Sequence, residues 1–147
     1  MSAVTYRLAT SADRDALRAM LLDMRSEMGI GSLNRDKGFA VLDKVIAGGL
    51  AIVAEIDNAI VGSIGLFIGD WWYSDDQFVG DYWTYVDPVA RNSFIALRMI
   101  EVAKTIARGL GLPLVMSVIN PIDGIKVSRL YRRRLTLIGE TFLWRAA

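Results

Sequence analysis

Apolar residues recur at three- and four-residue spacing in three stretches of the chain, and in alternation or short unbroken runs in several others. From 11 to 28, Leu17, Met20, Leu21, Met24 and Met28 form one helical stripe, with Arg14, Arg18 and Arg25 outside it. Thr10 or Ser11 can cap this helix, Asp13 suits its first turn, and Gly29 and Gly31 end it. From 34 to 47, Phe39, Leu42, Val45 and Ile46 predict a second helix that stops at Gly48-Gly49 and pairs with the first. A third stripe runs from 91 to 110 through Ile95, Met99, Val102, Ala103, Ile106 and Leu110, and Gly109 and Gly111 close it.

Strands are predicted at 4–9, 50–56, 59–68 and 78–86, with a short one at 113–119, a basic helix at 122–134 and a closing strand at 137–144. Asp57-Asn58 separates two β-branched runs and can take the left-handed conformations of a tight hairpin. The 69–77 segment, Gly-Asp-Trp-Trp-Tyr-Ser-Asp-Asp-Gln, breaks the pattern and predicts a surface loop. Strand, helix and strand from 78 to 119 have the length of a crossover unit, so those two strands should be parallel neighbours. The fold expected is α/β (α+β), a mixed sheet of about six to seven strands with helices on both faces.

At 147 residues and 53% apolar, without repeats or a Pro- or Ser-rich linker, residues 1–147 suit a single domain. Apolar runs fall short of the roughly 20 residues a membrane helix needs, and the first residues lack a secretory pattern. With no cysteine to form disulfides, a cytoplasmic protein is expected. The absence of histidine and cysteine excludes a Ser-His-Asp triad, a thiol nucleophile and an ordinary structural zinc site, so no metal is expected. Proton transfer is left to carboxylates, tyrosines, lysines or water. A net charge of +1 argues against bulk attraction to nucleic acid.

The most informative segment is Thr84-Tyr-Val-Asp-Pro-Val-Ala-Arg-Asn-Ser-Phe-Ile-Ala96, a strand that breaks at Pro88 and enters a helix near Arg91. Such a turn leaves backbone N–H groups without partners at the positive end of a helix dipole, which suits a phosphate or pyrophosphate. An ordinary ligand-free connection has the same pattern. This segment also resembles the acetyl-CoA signature [Gln/Arg]-x-x-Gly-x-[Gly/Ala] of the GNAT superfamily of N-acetyltransferases: Arg91 and Ala96 match, and Phe94 stands where glycine is expected. Residues 6–13 are similar to that family's first strand and helix start, and the hairpin at 51–62 to its second and third strands. Gly111-Leu-Pro113 and Leu130-Tyr-Arg-Arg133 resemble segments of phage-encoded proteins similar to the family.

The resemblance implies acetyl-CoA as cofactor and acyl transfer to an amine, on a small molecule or a protein. It implies that the fourth and fifth strands splay apart, exposing backbone near Tyr85 and Val86 to pantetheine, with Arg91, Asn92, Ser93, Phe94, Ile95 and Ala96 around the pyrophosphate. Asn120 takes the place of an asparagine near pantetheine, and Tyr131 that of a tyrosine that protonates the departing thiolate. Tyrosine, with an ordinary pKa near 10, stays protonated at neutral pH and suits that role; Tyr131 equally suits a core residue. Glycine would let backbone approach the pyrophosphate, whereas Phe94 either displaces the loop or turns into the core. Asp81 is the first candidate for the base and Asp76 the second.

Trp71, Trp72 and Tyr73 beside Asp75 and Asp76 can line an acceptor pocket, since aromatic faces and carboxylates attract amines; a partner interface or a hydrophobic loop tucked onto the sheet is an equal reading. Arg129, Arg132, Arg133 and Arg134 suit a solvated helix end, a CoA phosphate or, less well, a nucleic-acid backbone. A second function class stays open: a fold relative without catalysis that acts through protein contacts. A homodimer through residues 137–144 is a further expectation.

Overall fold

The computed structural model describes residues 2–91 and 93–146 and contains one mixed five-stranded sheet in the order β1-β2-β3-β4-β5. β1 is Thr5–Leu8, β2 Ala51–Ile56, β3 Ala59–Asp70, β4 Gln77–Val86 and β5 Leu114–Val115. The first four pair antiparallel, and β5 is parallel to β4, as the crossover length implied. Asp57 and Asn58 turn the β2–β3 hairpin at φ values of 50° and 63°, the left-handed pair that the sequence favours there.

Helices α1 (Arg14–Met28) and α2 (Arg35–Ala47) cover one face, and α3 (Ile95–Leu110) covers the other together with α4 (Gly124–Tyr131). On the α3 face Ile52, Ile64, Leu66 and Val79 pack against Ile95, Met99, Ile100 and Ala103. On the opposite face Val53, Trp83 and Tyr85 meet Leu17, Met20, Leu42 and Val45. The helical stripes therefore fill two cores separated by the sheet. Among the described residues no helix is long and apolar enough to cross a membrane.

Four elements differ from expectation. The sheet has five strands rather than six or seven among the described residues, because residues 136–146 form no strand and β5 pairs over only two residues instead of extending across 113–119. Leu137, Ile138, Phe142, Leu143 and Trp144 are exposed, and alternation alone does not make a strand where no neighbour supplies the ladder's donors and acceptors. α4 is confined to 124–131. Helix α3 starts at Ile95 rather than near Arg91: Pro88–Ala90 form a 3-10 turn, and the Ser93 hydroxyl donates to Ala90 O at 2.7 Å while accepting from Ile95 N–H at 3.3 Å.

A β-bulge in β4 sets which side chains face which core. Gly65 pairs with Trp83 and the next residue, Leu66, pairs with Asp81, so Tyr82 is the extra residue. Val79 faces the α3 core, and Trp83 and Tyr85 face the α1/α2 core. Uninterrupted alternation would put all three on one side. Trp83 is fixed by its Nε1–H, which donates to Ser63 Oγ at 3.0 Å, and that hydroxyl donates to Ile52 O at 2.8 Å. Its ring lies flat on Gly65, where a Cβ would meet indole atoms at 2.3 Å. Gly65→Ala should thus cost about 1–3 kcal/mol through overpacking of a tethered ring, seen as a lower thermal midpoint by circular dichroism. An unchanged midpoint would mean that the indole is free to move.

Candidate active site

Beyond the pairs Val79–Leu114 and Gly80–Val115, β4 and β5 share no further register, and the sheet opens into a fork. The cleft in this fork has a volume of about 450 Å³. Its walls come from Asp81–Val86 of β4, Ser117–Asn120 after β5, the C-terminal end of α1, the turn before α3, and α4. A short β5 is what makes the cleft, because the β4 edge past Gly80 has no strand beside it.

Asp81 sits where the strands part. Its Oδ1 accepts the Ser117 N–H at 3.0 Å and its Oδ2 accepts the Thr84 hydroxyl at 3.0 Å, so the carboxylate spans the fork. Burial pushes the Asp81 carboxyl up, against the opposing effect of these two donors. Tyr131, the last residue of α4, is buried and lines the same cleft. Burial raises its phenol pKa first, and the Asp81 carboxylate raises it further, while the Thr84 side chain opposes both. Asp81, Thr84 and Tyr131 therefore form one polar group at the cleft's inner end.

At the outer end Arg91 is fully engaged. Its Nε donates to Val86 O at 2.8 Å, its two terminal nitrogens donate to the Glu27 carboxylate at 2.8 and 2.6 Å, and its guanidinium lies 5.3 Å from the Tyr85 ring centroid. Asp123 lies 3.7 Å from the same guanidinium. Asn120 donates to Glu27 at 3.4 Å and accepts the N–H groups of Ile122 and Asp123 at 2.9 Å each, so it shapes the turn into α4. The paired Arg91 guanidinium holds the Glu27 carboxyl below its usual range, more than burial raises it. Arg91 thus pins α1, the turn before α3 and the start of α4 together, and its charge is committed to carboxylates rather than left for a phosphate.

Ser93 and Ala96 line the cleft, whereas Ile95 is buried in the α3 core; Asn92 lies outside the described residues. Phe94 neither packs in the core nor lines the cleft: its side chain is 73% exposed. Its φ of −83° is ordinary for any L-residue, so glycine's conformational freedom is not required there. Phe94 gives α3 no side-chain cap, which leaves the first-turn N–H groups beyond Ile95 to solvent or a ligand. Tyr85 and Val86 are where the sequence placed them, along the open β4 edge.

Trp71, Trp72, Tyr73 and Asp76 are not in the cleft: they join β3 to β4 at the Asp70–Gln77 end, while the fork opens toward Val86. Glu27, Thr84 and Asp123 are site residues that the sequence reading missed. Glu27 had one local signal. An acid in the last turn of a helix opposes the dipole, and it is favoured there only with a cation to pair with. Among the described residues no cluster of acidic side chains is arranged to hold a metal ion.

No family model and no curated protein sequence matches the chain. Solved structures do. A predicted acetyltransferase from Clostridium acetobutylicum, with acetyl-CoA, superposes with a TM-score of 0.77 at 16% identity, covering 98% of this chain and 96% of that one. The ribosomal-protein-alanine N-acetyltransferase of Brucella melitensis biovar Abortus 2308 gives 0.72 at 19% identity, covering 99% and 100%. A GCN5-related N-acetyltransferase from Ralstonia eutropha JMP134 gives 0.73 at 18% identity, again covering 99% and 100%. The chain has the fold of the GNAT acetyltransferases, at identities that speak for fold alone.

The Glu27–Arg91 pair is open to test by acid titration. Because the folded-state pKa of Glu27 is lowered, its stabilisation is full above the ordinary value of 4.5 and is lost as pH falls through the folded-state value. Glu27→Gln should cost about 2 kcal/mol at neutral pH, and the gap from the parent should close as pH is lowered below that window. Chemical denaturation at a series of pH values measures it; a gap independent of pH would remove the ion pair as its cause.

Proposed function

We propose that this chain is an acetyl-CoA-dependent N-acetyltransferase acting on an amine of a small molecule or a protein. The observation that carries this reading is the fork between β4 and β5, which holds a protonated buried tyrosine, a buried carboxylate and an uncapped helix start around one cleft. The cleft fits the cofactor: the β4 edge at Tyr85 and Val86 and the side chain of Asn120 would hold an extended amide-bearing arm. Ser93, Ala96 and the first-turn N–H groups of α3 would meet a pyrophosphate. Bound acetyl-CoA would supply an activated acyl group and a thiolate leaving group.

The chain's own residues supply the proton inventory. Tyr131 keeps its proton throughout the physiological range, since burial and Asp81 both oppose ionisation, and it is the group that can donate from Oη to an anion formed in the cleft. Asp81 has a raised pKa and, unlike the cleft carboxylates of Glu27 and Asp123 beside Arg91, has no cation paired with it among the described residues, so it can accept a proton from an attacking amine, directly or through one water. No histidine is needed. Asp76, at the far end of β4, is too distant to share this work.

A thermal-shift titration should show stabilisation by acetyl-CoA, because a ligand of the folded state alone raises its stability; no shift at millimolar cofactor would end this reading. Given binding, Tyr131→Phe should lower kcat by about 10²-fold with the acetyl-CoA shift preserved, and an unaltered kcat would take Tyr131 out of the reaction. Phe94→Gly should leave both stability and acetyl-CoA affinity within about 0.5 kcal/mol of the parent, as for an exposed side chain. A marked gain in affinity by calorimetry would instead identify Phe94 as an obstruction.

A further inference from the structure

The face of the sheet that carries Trp83 and Tyr85 is only partly covered by α1 and α2. Beyond them lies a continuous line of aromatic rings that starts in the cleft. Tyr82, the bulge residue and a cleft residue, has its ring centroid 4.6 Å from that of Phe67. Phe67 is 6.0 Å from Phe78, Phe78 4.6 Å from Trp71, Trp71 6.3 Å from Tyr73, and Tyr73 5.4 Å from Trp72. Gly80 makes this possible, since a Cβ there would come within 2.5 Å of the Phe67 ring. The outer end is open: Tyr73 is 68% and Trp72 94% exposed. From Tyr82 to Phe78 the line covers about 13 Å at roughly 3.3 Å per residue, and the loop carries it further.

The segment that carries this line holds charge of one sign. Between Ala59 and Ala90 the chain contains Asp70, Asp75, Asp76, Asp81 and Asp87 and neither lysine nor arginine, although the whole chain has 17 basic and 16 acidic residues. Among the described residues none of Asp70, Asp75 and Asp76 takes part in a salt bridge. Open aromatic faces beside unpaired carboxylates attract cations, guanidinium and ammonium groups above all. A partner of opposite charge is therefore positively charged, and the length of the line exceeds what a single ammonium group occupies. Side chains on one side of an extended polypeptide repeat about every 6.6 Å, close to the longer ring spacings of 6.0 and 6.3 Å.

We propose that this aromatic and acidic track, from Tyr82 to Trp72, docks an extended lysine- and arginine-bearing polypeptide segment whose amine enters the cleft as acceptor. The acceptor role rests on the transferase reading; docking on the track does not. The exposed rings supply stacking and cation–π contact, the aspartates supply long-range attraction, and the cleft at the near end receives the reacting nitrogen. This returns Trp71, Trp72 and Tyr73 to substrate recognition, as a distal surface and not as a pocket wall.

The test uses the intact chain and a fluorescein-labelled basic peptide of about a dozen residues, with a glutamine-for-lysine-and-arginine peptide and spermine as controls. Anisotropy should show salt-sensitive binding of the basic peptide and not of its neutral counterpart. The double variant Trp72→Ala with Tyr73→Ala, at exposed positions, should weaken it about tenfold or more with an unchanged circular dichroism spectrum and an unchanged acetyl-CoA thermal shift. Asp75→Asn with Asp76→Asn should reduce the salt dependence. No peptide binding at millimolar concentration, equal binding by the Trp72/Tyr73 variant, or spermine binding as tightly as the peptide would each overturn the track, whatever acetyl-CoA does. Peptide binding that depends on the track in a chain with no acetyl-CoA shift would keep the docking surface and discard the transferase reading.

Discussion

The candidate site depends on two parallel strands that part company after two residue pairs. A parallel ladder satisfies backbone groups only while both strands continue, so an early end to pairing exposes a stretch of β4 edge. Exposed strand edges are ordinarily a hazard that proteins cover or blunt. Here the edge is enclosed by α4, the turn before α3 and the end of α1, which turns an open ladder into the wall of a cleft. Asp81 is the brace: one carboxylate holds Ser117 from the departing strand and Thr84 from its own, fixing the angle at which the fork opens.

The second constraint is electrostatic and lies at the other end of the cleft. Arg91 brings together segments separated by 64 residues in sequence from Glu27, and it does so with a bidentate pair, a carbonyl and an aromatic face at once. Such a side chain loses little freedom on any further contact because it is already ordered. The wall on the α1 side is thereby coupled to the turn that begins α3. A ligand that displaced either element would have to break this pair in a partly buried setting, where an abandoned carboxylate costs far more than it would in water.

Local signals carried most of the fold. The Asp57-Asn58 turn, the helical stripes and the crossover length between β4 and β5 are each written within a few dozen residues, and each matches the structure. What was not legible depended on partners far away in sequence. Residues 137–144 have a strand's alternation but no sheet edge beside them. The role of Arg91 could not be seen without Glu27 and Asp123, and a signature position suggested a phosphate ligand where the fold supplies carboxylates. The aromatic loop could be read as recognition chemistry, but its distance from the cleft follows from the β3–β4 register, which composition does not encode. Phe94, troubling as a departure from glycine, turns out to project into solvent.

The extra residue in β4 acts as a phase shifter. Before Tyr82 one parity of positions belongs to the α3 core, and after it that parity belongs to the opposite core. Were Tyr82 to pair as an ordinary ladder residue instead of bulging, the composition would be the same, yet Trp83 and Tyr85 would trade places with Thr84 and Val86. The indole would leave Gly65 and the cleft would lose Thr84 from beside Asp81. Two hydrophobic cores, the brace of the fork and the first ring of the aromatic line are thus set in register by a single bulged residue, through its backbone position rather than through its half-exposed side chain.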